Sequence, residues 1–117
     1  MTTIGPLYLT LCIAFSASLA VGQLLFKLGA RQIAGATDLR MALFSPYLMA
    51  AVVLYAATTV LWVFILQKLP LSTAYPFALL GAVLVFALGA LVLKEPLQPR
   101  QLVGLIVIAL GMLIIYA

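Results

Sequence analysis

The amide of Gln23 and the ammonium of Lys27 are polar groups within a long apolar segment, and their spacing of four residues places them on one helix face. The segment AVGQLLFKLGA, residues 20–30, holds no acid that could pair with the lysine. Lys27 lies 21 residues after Pro6, about 31 Å of helix, which puts it at a membrane edge. This polar helix face could bind an anionic head group, and Arg31, one turn further on, could contribute a second cation. Equally, Lys27 could snorkel to the interface, and Gln23 could make an interhelical hydrogen bond.

The segment STAYPF, residues 72–77, combines polar side chains with a helix-breaking proline. Pro76 has no N–H for the carbonyl of Ser72, so a kink is expected early in a helix. Ser72, Thr73 and Tyr75 supply polar groups at that point. Two interpretations stay open. Tyr75 is an interfacial aromatic where a bent helix begins, or the kink lines a cavity that opens toward the outer side.

The chain has two acids, Asp38 and Glu95. Asp38 is interpreted as a helix cap. Glu95, in LKEPLQPR, could be a loop charge or a cap for the last helix. Alternatively it could pair with Lys27 or Arg31 and so tie the ends of the first and third helices together.

General acid–base catalysis has almost nothing to use here, because the chain has no histidine and only two carboxylates. No metal-ligand cluster, phosphate-cradling glycine loop or nucleophile–base pair is present, so we expect neither an enzyme nor a cofactor. The basic residues are scattered, which argues against a nucleic-acid partner. Cys12, the single cysteine, cannot form an internal disulfide. A transporter, a channel or a small assembly subunit remains.

The elements that must position these residues are transmembrane helices. The chain is 68% hydrophobic and 7% charged, whereas soluble domains are about 25% charged. Charge-free stretches of 17 to 27 residues each suit a spanning helix. We predict an all-α membrane protein of one domain, residues 1–117, with four helices at about 6–27, 46–66, 71–93 and 99–117. The proline-marked starts are Pro6, Ser45-Pro46, Pro70 and Pro99. Residues 38–44 could form a short interfacial helix capped by Thr37 or Asp38.

The distribution of basic residues predicts the orientation. Five of them lie in or beside the predicted loops 28–45 and 94–98, namely Lys27, Arg31, Arg40, Lys94 and Arg100. The other side holds only Lys68. The positive-inside rule therefore puts both loops in the cytoplasm and both termini in the periplasm.

Glycines recur on the third and fourth predicted helices, as Gly81 and Gly89, then Gly104 and Gly111. Gly104 and Gly111 are seven residues apart and so share one face. Small residues allow close helix approach in membranes. We interpret the last helix as a packing or dimerisation helix, with incidental use of glycine in a monomer as the alternative.

The last predicted helix contains the run GLIVIALGMLI, and the earlier segments contain Gly22, Lys27, Trp62 and Ala74-Tyr75. In these residues the chain resembles the small multidrug resistance proteins and their relatives in the EamA-like drug/metabolite transporter superfamily. Three longer pieces are VGQLLFK, LWVFILQKLPLSTAYP and KEPLQPRQLVG. In these pieces the chain is more specifically similar to the ArnE/ArnF-type subunits of the flippase for undecaprenyl-phosphate-linked aminoarabinose.

The resemblance implies a small multidrug resistance-like bundle of an inner-membrane protein that acts as a homo- or heterodimer with a homologous four-helix subunit. The multidrug exporters carry a glutamate in the first helix, where this chain has Leu19 in register with Gly22 and Lys27. A proton-coupled exporter of cations with this sequence would thus lack the carboxylate that carries the proton. The leading hypothesis is a flippase for an anionic polyprenyl-phosphate-linked sugar. Its contacts would be Lys27 and Arg31 for the phosphate, and Gln23, Ser72 and Tyr75 for the sugar. A small multidrug exporter and a non-transporting assembly subunit are the alternatives.

Overall fold

The computed structural model describes residues 5–35, 38, 40 and 43–116. The described residues contain four spans that are long and apolar enough to cross a membrane, three of them single helices and one a pair of consecutive helices. This confirms the predicted all-α fold class. The helices are α1 (Pro6–Gln32), α2 (Pro46–Lys68), α3 (Leu71–Ala74), α4 (Pro76–Leu91) and α5 (Pro99–Tyr116). The short α3 and α4 together form the third span, Leu71–Leu91.

The first helix continues to Gln32, five residues beyond the predicted end at residue 27. Lys27 ends the apolar run, but a charged residue does not end a helix. It only limits how deep the helix lies in lipid. Nothing between residues 28 and 32 is a proline, and Arg31 in the last turn complements the helix dipole. The predicted loop 28–45 therefore begins only after Gln32.

The second helix begins at Pro46 with Ser45 as its N-cap. The Ser45 hydroxyl accepts a hydrogen bond from the N–H of Leu48 at 3.4 Å and donates one to the Gln32 side chain at 2.5 Å. One side chain thus caps α2 and ties its start to the end of α1. The interfacial helix predicted over 38–44, with Thr37 as a possible cap, falls partly outside the described residues. Within them, the Asp38 carboxylate accepts from the N–H of Arg40 at 3.0 Å.

The break between α3 and α4 lies at Tyr75, directly before Pro76. Hydroxyl groups from two other helices bond to backbone carbonyls on either side of it. The Tyr116 hydroxyl of α5 donates to the Thr73 carbonyl at 2.5 Å, and the Ser16 hydroxyl of α1 donates to the Phe77 carbonyl at 2.6 Å. Such partners make a proline break tolerable inside a membrane.

The core of the molecule lies around this break, where the first part of α1 meets the end of α2 and the start of α4. The Phe15 ring stacks on Trp62 with their centroids 4.6 Å apart. The buried cluster consists of Cys12, Phe15, Ile65, Leu69, Ala74 and Phe77. The STAYPF segment is therefore partly core, since Ala74, Pro76 and Phe77 are buried.

The four spans form a flat row. Helix α1 packs against both α2 and α4, and α5 packs against α4. The molecule measures 52 × 37 × 17 Å. Four helices side by side, with about 9 Å between axes, span about 32 Å, close to the observed width. The chain is thus a layer that leaves α5 covered on one side only, and none of the α5 residues is buried.

Candidate functional site

A crevice between α1 and α4 is the candidate site, and it holds two neighbouring cavities. The larger, about 300 Å³, is lined by Leu19, Gln23 and Tyr55 together with residues of α4. The smaller, about 220 Å³, is lined by Gln23, Lys27 and Glu95 and by further residues of both helices. Gln23 lines both cavities, so we treat them as one site, the α1–α4 crevice.

Helices α1 and α4 touch closely at one end of the crevice, which we call its closed end. A Cβ on Gly81 would lie 3.3 Å from the Ser16 carbonyl oxygen, so the two backbones nearly touch there. At Gly89, about two turns further along α4, an added Cβ would meet only the Glu95 carboxyl group within 4 Å. From this closed end near the buried core the two cavities extend along both helices to Lys27 and Glu95, which mark the open end of the crevice.

Tyr55 of α2 is the polar partner of Gln23. The Gln23 amide donates to the Tyr55 hydroxyl at 2.6 Å, and that hydroxyl lies 3.5 Å from the Leu19 carbonyl to which it donates. The ring packs where Gly22 has no side chain, since a Cβ there would overlap the ring. The interhelical hydrogen bond considered for Gln23 is therefore present, and the same side chain also lines the crevice.

Sequence reasoning did not single out Tyr55. The available signal was its phenol in the middle of a largely apolar span, because a tyrosine hydroxyl within a membrane needs a partner. Ser16, fully buried and bonded to the Phe77 carbonyl, was missed in the same way.

Lys27 and Glu95 both line the cavity at the open end of the crevice. Lys94 has a positive φ of 55°, and the Glu95 N–H donates to the Gly89 carbonyl at 3.0 Å. This turn folds the Glu95 carboxyl group back over α4, into the cavity that Lys27 lines from α1. Glu95 and Lys27 thus line the same cavity, but no N···O distance between these two described residues is within 4.0 Å, so the suggested charge pairing is not formed as an ion pair.

The other predicted contacts are not in the crevice. Arg31 is exposed in the last turn of α1 and lines neither cavity. Ser72 and Tyr75 are exposed at the closed end, where the Tyr75 ring lies 6.3 Å from that of Trp62. From Phe77 to Gly89 the helix rises about 18 Å, so these two side chains lie far from Lys27. Gly104 and Gly111 on α5 would meet nothing within 4 Å if they carried a Cβ.

The chemistry of the crevice is that of binding. Its polar groups are the Lys27 ammonium, the Gln23 amide, the Tyr55 phenol and, at the open end, the Glu95 carboxylate. Leu19 lines the larger cavity with an apolar side chain. A phosphate near Lys27 would sit at the edge of the spanning region, where a charge can reach water. The arrangement suits an anionic ligand that carries polar groups.

The fold and site define a helical membrane protein with a crevice between its spans that holds a few polar side chains. This class is typical of transporters. The chain belongs to the EamA-like transporter family, whose sequence profile matches residues 1–117.

Several relatives carry the same name, "probable 4-amino-4-deoxy-L-arabinose-phosphoundecaprenol flippase subunit ArnE". That of Aeromonas salmonicida is 38% identical over 73 residues, 62% of this chain and 64% of the relative. That of Aeromonas hydrophila is 36% identical over 61% of this chain and 62% of the relative. These two matches thus span less than two thirds of the relatives' length. That of Serratia proteamaculans is 34% identical over 80% of this chain and 81% of the relative. No solved structure matches the chain.

Proposed function

We propose that the chain is a subunit of a bacterial inner-membrane flippase for a polyprenyl-phosphate-linked sugar, of the 4-amino-4-deoxy-arabinose kind that the relatives' names give. The observation that carries the proposal is that Lys27 and Gln23 line one cavity between α1 and α4. A cation at the mouth of a polar crevice attracts a lipid phosphate.

The head group would enter the crevice at its open end. Lys27 binds the phosphate there, Arg31 adds a second cation one turn beyond, and Gln23 offers its amide to the sugar. The polyprenyl tail stays in lipid and passes between helices. Ser72 and Tyr75 are proposed contacts for the far end of the path, because both are exposed beside the closed end.

The positive-inside rule gives the direction of this path. With five basic residues on one side and Lys68 on the other, the open end of the crevice faces the cytoplasm and both termini face the periplasm. Loading from the cytoplasm needs no proton carrier if the lipid is supplied there and consumed outside.

A second subunit is part of the proposal. A single row of four helices, 17 Å thick, cannot surround a sugar head group. We propose a homodimer, or a heterodimer with a homologous four-helix subunit, that covers the open face. The relatives' names include the word subunit, which supports an assembly.

Lipid retention by purified protein tests the role of Lys27. We expect Lys27→Ala to weaken binding of a phosphopolyprenyl lipid about tenfold, and Lys27→Glu to weaken it further, because the site loses a charge-assisted contact and then repels the phosphate. Affinity is measured by native mass spectrometry of the full chain in detergent.

Lys68→Ala is the matched control, because Lys68 is an exposed lysine at the end of α2, on the predicted periplasmic side of the spans. It should bind as the unmodified chain does. Equal retention by the unmodified chain and Lys27→Glu would refute the role of Lys27. Release of protons on addition of a cationic drug would instead favour a multidrug exporter.

A further inference from the structure

Two opposite charges face the same cavity without contacting each other. Lys27 reaches it from α1 and Glu95 from the turn after α4. Their charged atoms are more than 4.0 Å apart, so they form no ion pair. The cavity of about 220 Å³ between them is smaller than the roughly 300 Å³ at which sites for drug-sized ligands begin. A cavity of this volume suits a small head group close to both side chains.

Backbone geometry holds Glu95 in this position. The positive φ of Lys94 reverses the chain, and the Glu95 N–H bonds to the Gly89 carbonyl. One carboxylate oxygen lies 3.5 Å from the place where a Cβ of Gly89 would be. The Glu95 carboxylate thus lies against Gly89, which has no side chain, and its position does not depend on a salt bridge with Lys27.

The Glu95 carboxylate lies at an end of the molecule where basic residues predominate. The basic residues on the predicted cytoplasmic side outnumber the acids there, which are Glu95 and Asp38. The Asp38 carboxylate is engaged by the N–H of Arg40, outside the crevice. Glu95 is the acid that lines the cavity. A ligand bearing a positive amino group would be repelled at this end of the molecule if Glu95 were neutral.

We propose that Glu95 is a specificity residue that binds the ammonium group of an amino sugar whose phosphate is bound by Lys27. The inference rests on the proposed function and deepens it, since the crevice then selects a zwitterionic head group over a purely anionic one. An amino group at carbon 4 of a pyranose lies across the ring from a phosphate on carbon 1, which matches two opposite charges on facing walls.

The test compares two synthetic lipids, heptaprenyl-phosphate-linked arabinose with either an amino or a hydroxyl group at carbon 4. Binding to the full chain is measured at neutral pH. The unmodified chain should prefer the amino lipid. Glu95→Gln should weaken binding of the amino lipid about fivefold, the loss expected for a partly solvated ion pair. It should leave binding of the hydroxyl lipid unchanged.

Controls separate the possible failures. Asp38→Asn removes the other acid and should leave both affinities unchanged, while Glu95→Asp keeps the charge and should keep the preference. Equal weakening of both lipids by Glu95→Gln, or no weakening of either, would overturn the inference and leave the proposed function standing. Absence of binding of both lipids to the unmodified chain would overturn the proposed function itself, and this inference with it.

Discussion

Tyr55 links three features of the crevice through one side chain. Its hydroxyl accepts from Gln23, it lies within reach of the Leu19 carbonyl, and its ring covers Gly22. The ring also packs against Phe26, with the centroids 5.2 Å apart. The position of the Gln23 amide within the crevice therefore depends on a residue of α2, although α2 supplies little else to the site.

Tyr55→Phe keeps the ring and removes the hydroxyl. We expect a loss of about 1 kcal/mol in the free energy of unfolding, because the Gln23 amide loses its partner in an apolar environment. The unfolding temperature in detergent should fall by a few degrees. Tyr47→Phe is the control on the same helix, since Tyr47 is largely exposed. Equal unfolding temperatures for the two variants would contradict the role given to the hydrogen bond.

At the scale of elements, the break at Pro76 lies next to the closed end of the crevice. The start of α4 follows it directly, and Gly81 permits close approach of α4 to α1 there. Hydroxyl groups from α1 and α5 hold the backbone on either side of the break. A polar group in a membrane helix often serves such packing and not the substrate, and Ser16 is an example.

Ser16→Ala tests this arrangement. The Ser16 hydroxyl is fully buried and donates to the Phe77 carbonyl, so its removal should cost about 1 kcal/mol of unfolding free energy. Ser18→Ala, at a half-buried position of the same helix, makes the same chemical change and the same gain in helix propensity. The difference in unfolding temperature between the two variants thus measures the interhelical bond. A Ser18 variant as unstable as the Ser16 variant would count against it.

For the whole molecule, the flat row leaves one helix nearly uncovered. Helix α5 contacts α4 mainly through a face that includes Ile108, Met112 and Tyr116, while Gly104 and Gly111 lie exposed beside it. A transporter that must enclose a head group cannot function as an open layer. The glycine face of α5 is therefore the surface on which we expect the second subunit.

Gly104→Trp and Gly111→Trp should weaken self-association about tenfold or more, because a large side chain prevents close helix approach. Energy transfer between two labelled copies in liposomes measures this. Leu113→Trp is the control, since Leu113 lies on the opposite face of α5 and is 67% exposed. If the glycine variants and the control associate equally, the glycine face is not the interface. If the unmodified chain shows no energy transfer, the homodimer is excluded.

The sequence by itself determined the number of spans, the proline-marked helix starts and the shared face of Gln23 and Lys27. These follow from hydropathy, backbone chemistry and helical period, which act within one segment. Only the tertiary structure decided that Tyr55 bonds Gln23, that Glu95 turns back beside Lys27, and that Ser72 and Tyr75 lie far from them. The physical reason is that spans in lipid are apolar on nearly every face. The rotation of each helix about its axis, and hence which side chains meet, is set by close packing between helices at Gly22, Gly81 and Pro76.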